Sequence, residues 1–375
     1  MDMGGRYLML VSARAGARLR EDVGLGRRPC PEYLRLEQRH GVELLDWSRL
    51  RSEASGRSVS LSVAHAQAAL RRLDRVDAVF SDGEHVGVPL ALAMRLKGRS
   101  TPHLMLGHHL TTRAKRRVFR LLRPHARISR VLVHSRRQLE LAASELGIPR
   151  QTLAFVAYGV DVDFWSPART REEKLVVSVG REHRDYATLA RACSGLPGRV
   201  FVAAGSLFSP SAPQDQPRSW PANFDVGFAE PADLRDWYAR ASVVVVPLVP
   251  NEFQAGVTTI LEAMAMAKAV VVSATGGQRD VVEDGITGVL VPPRDPRTLG
   301  DAVARLLADP LGRRRIGSNA REAVLGRFHL DAYVDELGRH LVEVAAERSA
   351  STAPGPLCPD ANRDDHPMCS LGRHH

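Results

Sequence analysis

Three short stretches bring together guanidinium groups, free backbone amides and one well-spaced carboxylate, the groups that hold a phosphorylated ligand. In the first, an apolar run ends at Val179-Gly180-Arg181, and Arg184 follows three residues on. Arginine presents a fixed fork of donors that matches phosphate oxygens, although surface arginine is common in this chain. The second is Pro247–Ala265, PLVPNEFQAGVTTILEAMA. Here an apolar run gives way to a polar loop, and Gly256, Val257, Thr258 and Thr259 lead into a helix. Unpaired N–H groups and the positive end of the helix dipole make such a loop an anion site. Glu262 stands about one turn in, where a carboxylate accepts hydrogen bonds from two ribose hydroxyls; in isolation it reads equally as a first-turn partner of the dipole. The third is Ala274-Thr275-Gly276-Gly277-Gln278-Arg279-Asp280, a loop whose glycines let backbone approach a ligand. It runs into VVEDGITGVLVP, a turn and strand of structural character.

These stretches need strand ends to present them. Apolar runs at Tyr7–Ser12, Ala78–Ser81, His103–Leu106 and Val131–His134 alternate with helical stretches at Val63–Leu73, Leu90–Leu96 and Arg137–Leu146. Strands alternating with helices predict an α/β fold with a parallel sheet covered on both faces. The segment Tyr158–Pro167 breaks the rhythm and charges crowd at Thr170–Lys174. A second series then starts: strands Leu175–Val179, Arg199–Ala203, Val243–Pro247 and Ala269–Ser273, with helices Pro231–Ala241, Thr259–Met266 and Arg297–Leu307. The expected organisation is an N-terminal Rossmann-like domain over residues 1–168, a second over 169–330, a helix over 331–348, and a disordered tail over 349–375 rich in Pro, Ser, Asp and His.

Length and composition agree with two soluble domains: 375 residues, 44% hydrophobic and 25% charged. The net charge of +10 favours anionic partners such as phosphorylated small molecules, nucleic acid or an acidic membrane surface. Four scattered cysteines, Cys30, Cys193, Cys358 and Cys369, form no CxxC pair and point to a reducing cytosol. Cys358, His366, Cys369, His374 and His375 match no zinc spacing, so no metal is expected. The N-terminus lacks a signal-peptide pattern, and no apolar run approaches the roughly 20 residues of a membrane span. A cytoplasmic protein is expected, with attachment at the inner face of the membrane as an alternative.

Taken in order, GREHR at 180–184, QAGVTTILEAMAMAKAVVVS at 254–273, TGGQRDVVEDGITGVLVPP at 275–293 and DPRTLGDAVARLL at 295–307 resemble the C-terminal domain of the GT-B glycosyltransferases, specifically retaining family 4. The resemblance covers residues 155–345; the N-terminal half is similar only in layout. It implies two Rossmann-like domains facing a cleft, and transfer of a sugar from a nucleoside-diphosphate sugar to an acceptor hydroxyl with retention of configuration and without a metal. Arg181 and Arg184 would neutralise the diphosphate. Gly256 and Val257 to Thr259 would cap it, and Glu262 would hold the ribose. Gly227-Phe228-Ala229 would lie near the base. The family's Glu-x7-Glu pattern begins with Gln254 here. The amide keeps hydrogen bonding but loses the charge that would favour an oxocarbenium-like centre, so donor contacts are expected to differ. Two other readings stay open: a sugar-nucleotide epimerase on the same fold, and a non-catalytic sugar or anionic-surface binder.

In the N-terminal half, His108 ends a strand where the family places a histidine beside the transferred sugar, and His109 is the adjacent alternative. Asp82-Gly83-Glu84-His85 also ends a strand and could touch the acceptor. Ser12-Ala13-Arg14-Ala15-Gly16 stands in for the expected glycine-rich loop. Between Arg113 and Arg130 lie Lys115, Arg116, Arg117, Arg120, Arg123 and Arg127 with Val118, Leu121 and Leu122 interleaved, and no acidic residue. Such a helix suits an acidic membrane surface or is simply a solvated face. Nucleic acid is not expected as a partner, because Phe119 is the only aromatic among the basic residues.

Overall fold

The computed structural model describes residues 4–53, 61–204 and 216–352. The chain builds two six-stranded parallel sheets. The first contains β1 (Tyr7–Val11), β2 (Glu43–Asp46), β3 (Ala78–Ser81), β4 (His103–Gly107), β5 (Arg130–Val133) and β6 (Leu153–Phe155), in the order β2-β1-β3-β4-β5-β6. The second contains β7 (Leu175–Val179), β8 (Arg199–Ala203), β9 (Phe224–Gly227), β10 (Val243–Val246), β11 (Ala269–Ser273) and β12 (Val289–Val291), in the order β12-β11-β10-β7-β8-β9. Helices on both faces explain the composition: every residue of β1, β7, β10 and β11 is buried. Each fully buried valine of β10 contributes about 1.5–3 kcal/mol relative to exposure.

The strand order reverses once in each sheet, between β1 and β3 in the first and between β7 and β10 in the second. A crevice opens beyond the carboxyl ends of strands at such a point, and ligands of open α/β sheets bind there.

The chain crosses between the domains twice. The first crossing follows β6, and its Val160, Val162, Phe164 and Trp165 pack into the core of the second domain with Leu175, Val244 and Leu261. The boundary expected at residue 168 therefore falls earlier, because apolar side chains from 160 onwards have their partners in the second sheet. The second crossing leads into helix Leu330–Thr352, whose Leu330, Tyr333, Val334, Leu337 and Leu341 pack with Tyr7, Met9, Leu34 and Leu36 of the first domain. Arg39 Nη2 meets Asp335 at 2.7 Å and Arg130 reaches both Glu343 and Glu347. The crossings lie side by side: Val160 N donates to Phe328 O at 2.9 Å, and Leu330 N to Val160 O at 3.0 Å.

Several boundaries differ from expectation. The helix expected over Leu90–Leu96 begins at Glu84, and the one expected from Thr259 begins at Val257. The last helix continues past Arg348 to Thr352; residues 353–375, the rest of the expected disordered tail, lie outside the described residues, as do Cys358 and Cys369.

Candidate active site

At the switch point of the second sheet, β10 ends and the chain passes through Pro247–Ala255 into helix Val257–Ala265. Gly256, at φ 74°, precedes the helix, and no side chain caps it. No acidic residue stands in the first turn. The leading amides of Val257, Thr258 and Thr259 therefore face the crevice without an internal partner. Thr258 is exposed, while Thr259 is buried.

Arg184 lies behind this turn. Its guanidinium is buried and donates to Val179 O at 2.8 Å, Glu182 O at 3.0 Å and Thr259 Oγ1 at 3.1 Å. It thus joins the end of β7, the 180–184 connection and the start of the 257–265 helix. Two glycines make its seat. A Cβ at Gly180 (φ 109°) would collide with the guanidinium, and one at Gly256 would lie 3.1 Å from Arg184 Nη1 and 2.9 Å from Val246 Cγ1. Tyr186 supports the connection by donating its hydroxyl to Gly180 O at 2.6 Å. Arg181 is half-buried, and its Nε has no hydrogen-bond partner among the described residues.

Glu262, one turn further along the helix, accepts a hydrogen bond from Tyr238 at 3.2 Å. Burial pushes its carboxyl up to about 8, and Tyr238 and Arg184 offset that only in part. Among the described residues Glu262 has no ion-pair partner, so the carboxyl keeps hydrogen-bonding capacity beyond the Tyr238 contact. Gln254 is buried; its Nε2 donates to Gly277 O at 3.2 Å and its Oε1 has no partner among the described residues. A Cβ at Gly277 would lie 2.8 Å from Gln254 Cα, so that glycine allows the two loops to touch. Phe228 projects just beyond β9 and is 52% exposed.

Across the crevice, the first domain presents its own switch point. Ser12 Oγ donates to Asp82 Oδ1 at 2.7 Å and Ser12 N also reaches Asp82. His85 Nε2 lies 2.6 Å from Ser12 Oγ, and His108 Nε2 lies 2.7 Å from Asp82 O. His108 is exposed and held by its backbone: its N–H donates to Glu84 at 2.9 Å, and its carbonyl accepts from Gln138 Nε2 at 2.6 Å. Glu84 also accepts from His109 N at 3.3 Å and from Lys115 Nζ at 2.5 Å. Although burial opposes ionisation, His108 and Lys115 bring Glu84 down to about 2. Glu32 faces the same cluster, its carboxyl raised by burial and by nearby Asp82. Tyr158, Tyr333 and His134 line the back, with ring centroids 5.0–5.6 Å apart.

All the residues expected to contact donor or sugar lie at the carboxyl ends of strands, in or beside the helix after β10, or at the facing His108. Sequence reasoning missed Glu32, Tyr158 and Tyr333, which come to the cleft from a helix start and from the two crossings. The basic run does not act as one patch. Lys115 turns inward to Glu84, Arg116 pairs with Glu145 at 2.8 Å, and Arg130 with Glu343 and Glu347. Arg113, Arg117 and Arg123 remain exposed with no ion pair among the described residues. Among those residues no group of three or more His, Cys, Asp or Glu could hold a metal ion, and no helix is long and apolar enough to cross a membrane.

Two facing Rossmann-like sheets, each with its own switch point, make up the GT-B fold. Residues 173–309 match the family model described as glycosyl transferases group 1. D-inositol 3-phosphate glycosyltransferase of Frankia alni is 42% identical over 98 residues, 25% of this chain and 23% of that protein. The Mycobacterium tuberculosis protein of the same name is 30% identical over 244 residues, 58% of this chain and 50% of the relative. The chain thus spans at most half the length of these curated relatives. Among solved structures, sucrose-phosphate synthase from Thermosynechococcus elongatus superposes with a TM-score of 0.69 at 19% identity, covering 91% of this chain and all of that one. Anabaena HepE in complex with UDP-glucose gives 0.66 at 18% identity, covering 92% of this chain and all of that one.

Proposed function

We propose that this protein transfers a glycosyl group from a nucleoside-diphosphate sugar to an acceptor hydroxyl, with retention of configuration. The observation that carries the reading is the uncapped start of helix Val257–Ala265 at the switch point, with Arg184 clamped behind it and Glu262 one turn along. The diphosphate lies against the amides of Val257, Thr258 and Thr259, next to Arg181 and Arg184. Glu262 takes the ribose hydroxyls, and Phe228 offers a face to the base. His108 and Gln254 border the sugar. As the bond from the anomeric carbon to the diphosphate breaks, negative charge grows on the leaving group. Preorganised amides and guanidinium groups stabilise that charge, so the reading requires no metal. The acceptor hydroxyl forms the new bond from the same face and passes its proton to the departing diphosphate.

Support for an acceptor at a membrane comes from the 113–122 helix of the first domain. Leu121 is 79% exposed and Leu122 42%, flanked by Arg113, Arg117 and Arg123, which are exposed and make no ion pair among the described residues. Apolar side chains ringed by cations suit an anionic lipid surface.

A thermal-shift screen against nucleoside diphosphates and their sugars tests the donor reading. A ligand at 100 times its dissociation constant adds about 2.7 kcal/mol of stability. Stabilisation by one base and its sugars is expected; none by any of them would remove the reading. Product analysis with donor alone separates transfer from epimerisation.

A further inference from the structure

One contact spans the cleft through rings alone. Phe253 stacks on His109 of the first domain, with centroids 4.3 Å apart and planes at 16°. Its other neighbour is His183 of the second domain, edge-on at 4.8 Å and 80°. His109 and His183 are themselves 5.9 Å apart and edge-on. Aromatic pairs in these geometries are favourable beyond their buried area.

The backbone positions of the three rings matter more than their attraction. His109 directly follows His108, and both amides are fixed by Glu84. His183 sits in the 180–184 connection that carries Arg181 and Arg184. It adopts φ 54°, a left-handed conformation uncommon for a residue with a side chain. The surroundings hold it there: Val249 N donates to His183 O at 3.0 Å, and Asp185 N to Pro247 O at 3.0 Å. Phe253 lies three residues before Gly256, and its own carbonyl accepts from Ala255 N at 3.0 Å. One ring therefore touches the strand end that presents His108 and the connection that presents Arg181, while its backbone leads into the anion-binding turn. Beside it, Arg137 Nε meets Glu252 at 2.8 Å and Arg136 N donates to Asp280 at 2.9 Å. The Arg137–Glu252 ion pair is solvent-exposed and contributes little, and Arg136 N–Asp280 is a single hydrogen bond; the ring stack is the contact that joins His109 to both donor loops.

We propose that Phe253 is a positioning residue: clamped between His109 and His183, it passes the seating of the first domain to both donor loops, so that the donor's anomeric carbon is aligned with the acceptor half only when that half is closed upon it. The proposal rests on the glycosyl-transfer reading for its catalytic consequence, but not for its structural one. With the acceptor half unseated, a bound donor is still gripped, but water competes with the acceptor for the anomeric carbon. Loss of alignment by a fraction of an ångström suffices to change that partition.

The experiment measures distances between spin labels on Leu96→Cys and Leu311→Cys, exposed positions in the first and second domains, in the full chain with Cys358 and Cys369 replaced by serine. Without ligand, the parent should give one narrow distribution. Phe253→Ala and His109→Ala should each add a longer-distance population, and Phe253→Tyr and His109→Phe, which keep a ring, should restore the narrow one. If both alanine variants, shown folded by circular dichroism, match the parent, the proposal is overturned. In the same proteins, Phe253→Ala should bind UDP within about threefold of the parent yet raise the ratio of UDP-sugar hydrolysis to transfer by about tenfold or more; an unchanged ratio overturns the catalytic half. A parent that no nucleoside diphosphate stabilises and that turns over no nucleotide-sugar donor would defeat the glycosyl-transfer reading instead, while the distance distributions would still decide whether the rings hold the domains together.

Discussion

Glu84 and Glu262 occupy equivalent places, each near the start of the helix that follows a switch-point strand, yet their surroundings treat them in opposite ways. Glu84 is nearly fully buried and satisfied: two backbone amides and Lys115 bind it, and its carboxyl is held down to about 2. Among the described residues the Glu262 carboxyl has Tyr238 as its one hydrogen-bond partner and Arg184 only at a distance, and burial pushes it up to about 8. The first glutamate spends its acceptor capacity on its own chain and fixes the turn carrying His108 and His109. The second keeps capacity in reserve. Unsatisfied polar groups cost stability, and they persist where a ligand completes them. The contrast separates a residue that builds the cleft from one that serves its occupant.

Substitutions should break the comparison in a definite order. Arg184→Ala should have the largest effect. It leaves the Thr259 hydroxyl and two backbone carbonyls without their donor and removes the charge behind the anion turn. Calorimetry should show nucleoside-diphosphate affinity falling about 100-fold or more, and denaturant titration a loss of about 2–4 kcal/mol. Glu84→Gln comes next, at about 1–3 kcal/mol of stability, discounted because Lys115 is a third exposed. Nucleoside-diphosphate affinity should stay within about twofold, since the defect lies across the cleft. Glu262→Gln should do the reverse, costing about tenfold in affinity and no stability at pH 8. Affinity loss in the Glu84 variant, or stability loss in the Glu262 variant, would collapse the distinction.

The two glutamates also predict opposite pH dependences. Glu262 is raised on folding, so its contribution is complete below the unfolded value of about 4.3 and is lost as pH rises through about 8. Glu84 is lowered, so its contribution is complete above that unfolded value and is lost as pH falls toward about 2. Unfolding titrations of the parent against each glutamine variant should diverge at alkaline pH for Glu262 and at acid pH for Glu84. The smallest effect belongs to the surface: Leu121→Ser with Arg117→Glu should reduce co-sedimentation with anionic vesicles severalfold and leave nucleoside-diphosphate binding unchanged.

The donor half was legible because its chemistry is local in sequence. Glycine, threonine and glutamate fall within a few residues of one helix start, and their order survives as a pattern. Arg184 was identified, but not as a buried clamp, since nothing local reveals that the distant Gly256 joins Gly180 in making its seat. The facing half was harder. Its polar cluster draws Ser12, Glu32, Asp82, His85 and His108 from separate strand and helix ends, and Tyr158 and Tyr333 from the two crossings. Strand β2 escaped notice because four residues between polar neighbours carry no period. Helix Pro310–Arg327 escaped because its arginines hide the apolar stripe of Ile316, Ala320 and Val324. Arg116 and Arg130 looked like parts of a basic surface; their partners, Glu145, Glu343 and Glu347, are supplied by other helices.

The two crossings, tied to each other by hydrogen bonds at Val160, Phe328 and Leu330, also determine how the halves can move. Separate connections would form two anchors and lock the halves against rotation, or leave each free to swing alone. Bound as one short ribbon, they make a single pivot. Downstream of it, Arg321 fixes the first crossing to the second domain by donating to Val162 O at 3.3 Å, Trp165 O at 3.0 Å and Ala265 O at 2.8 Å. The stretch between β6 and Val160, with its neighbours at Phe328–Leu330, is thus the one double-stranded joint on which any rotation of one half against the other would turn.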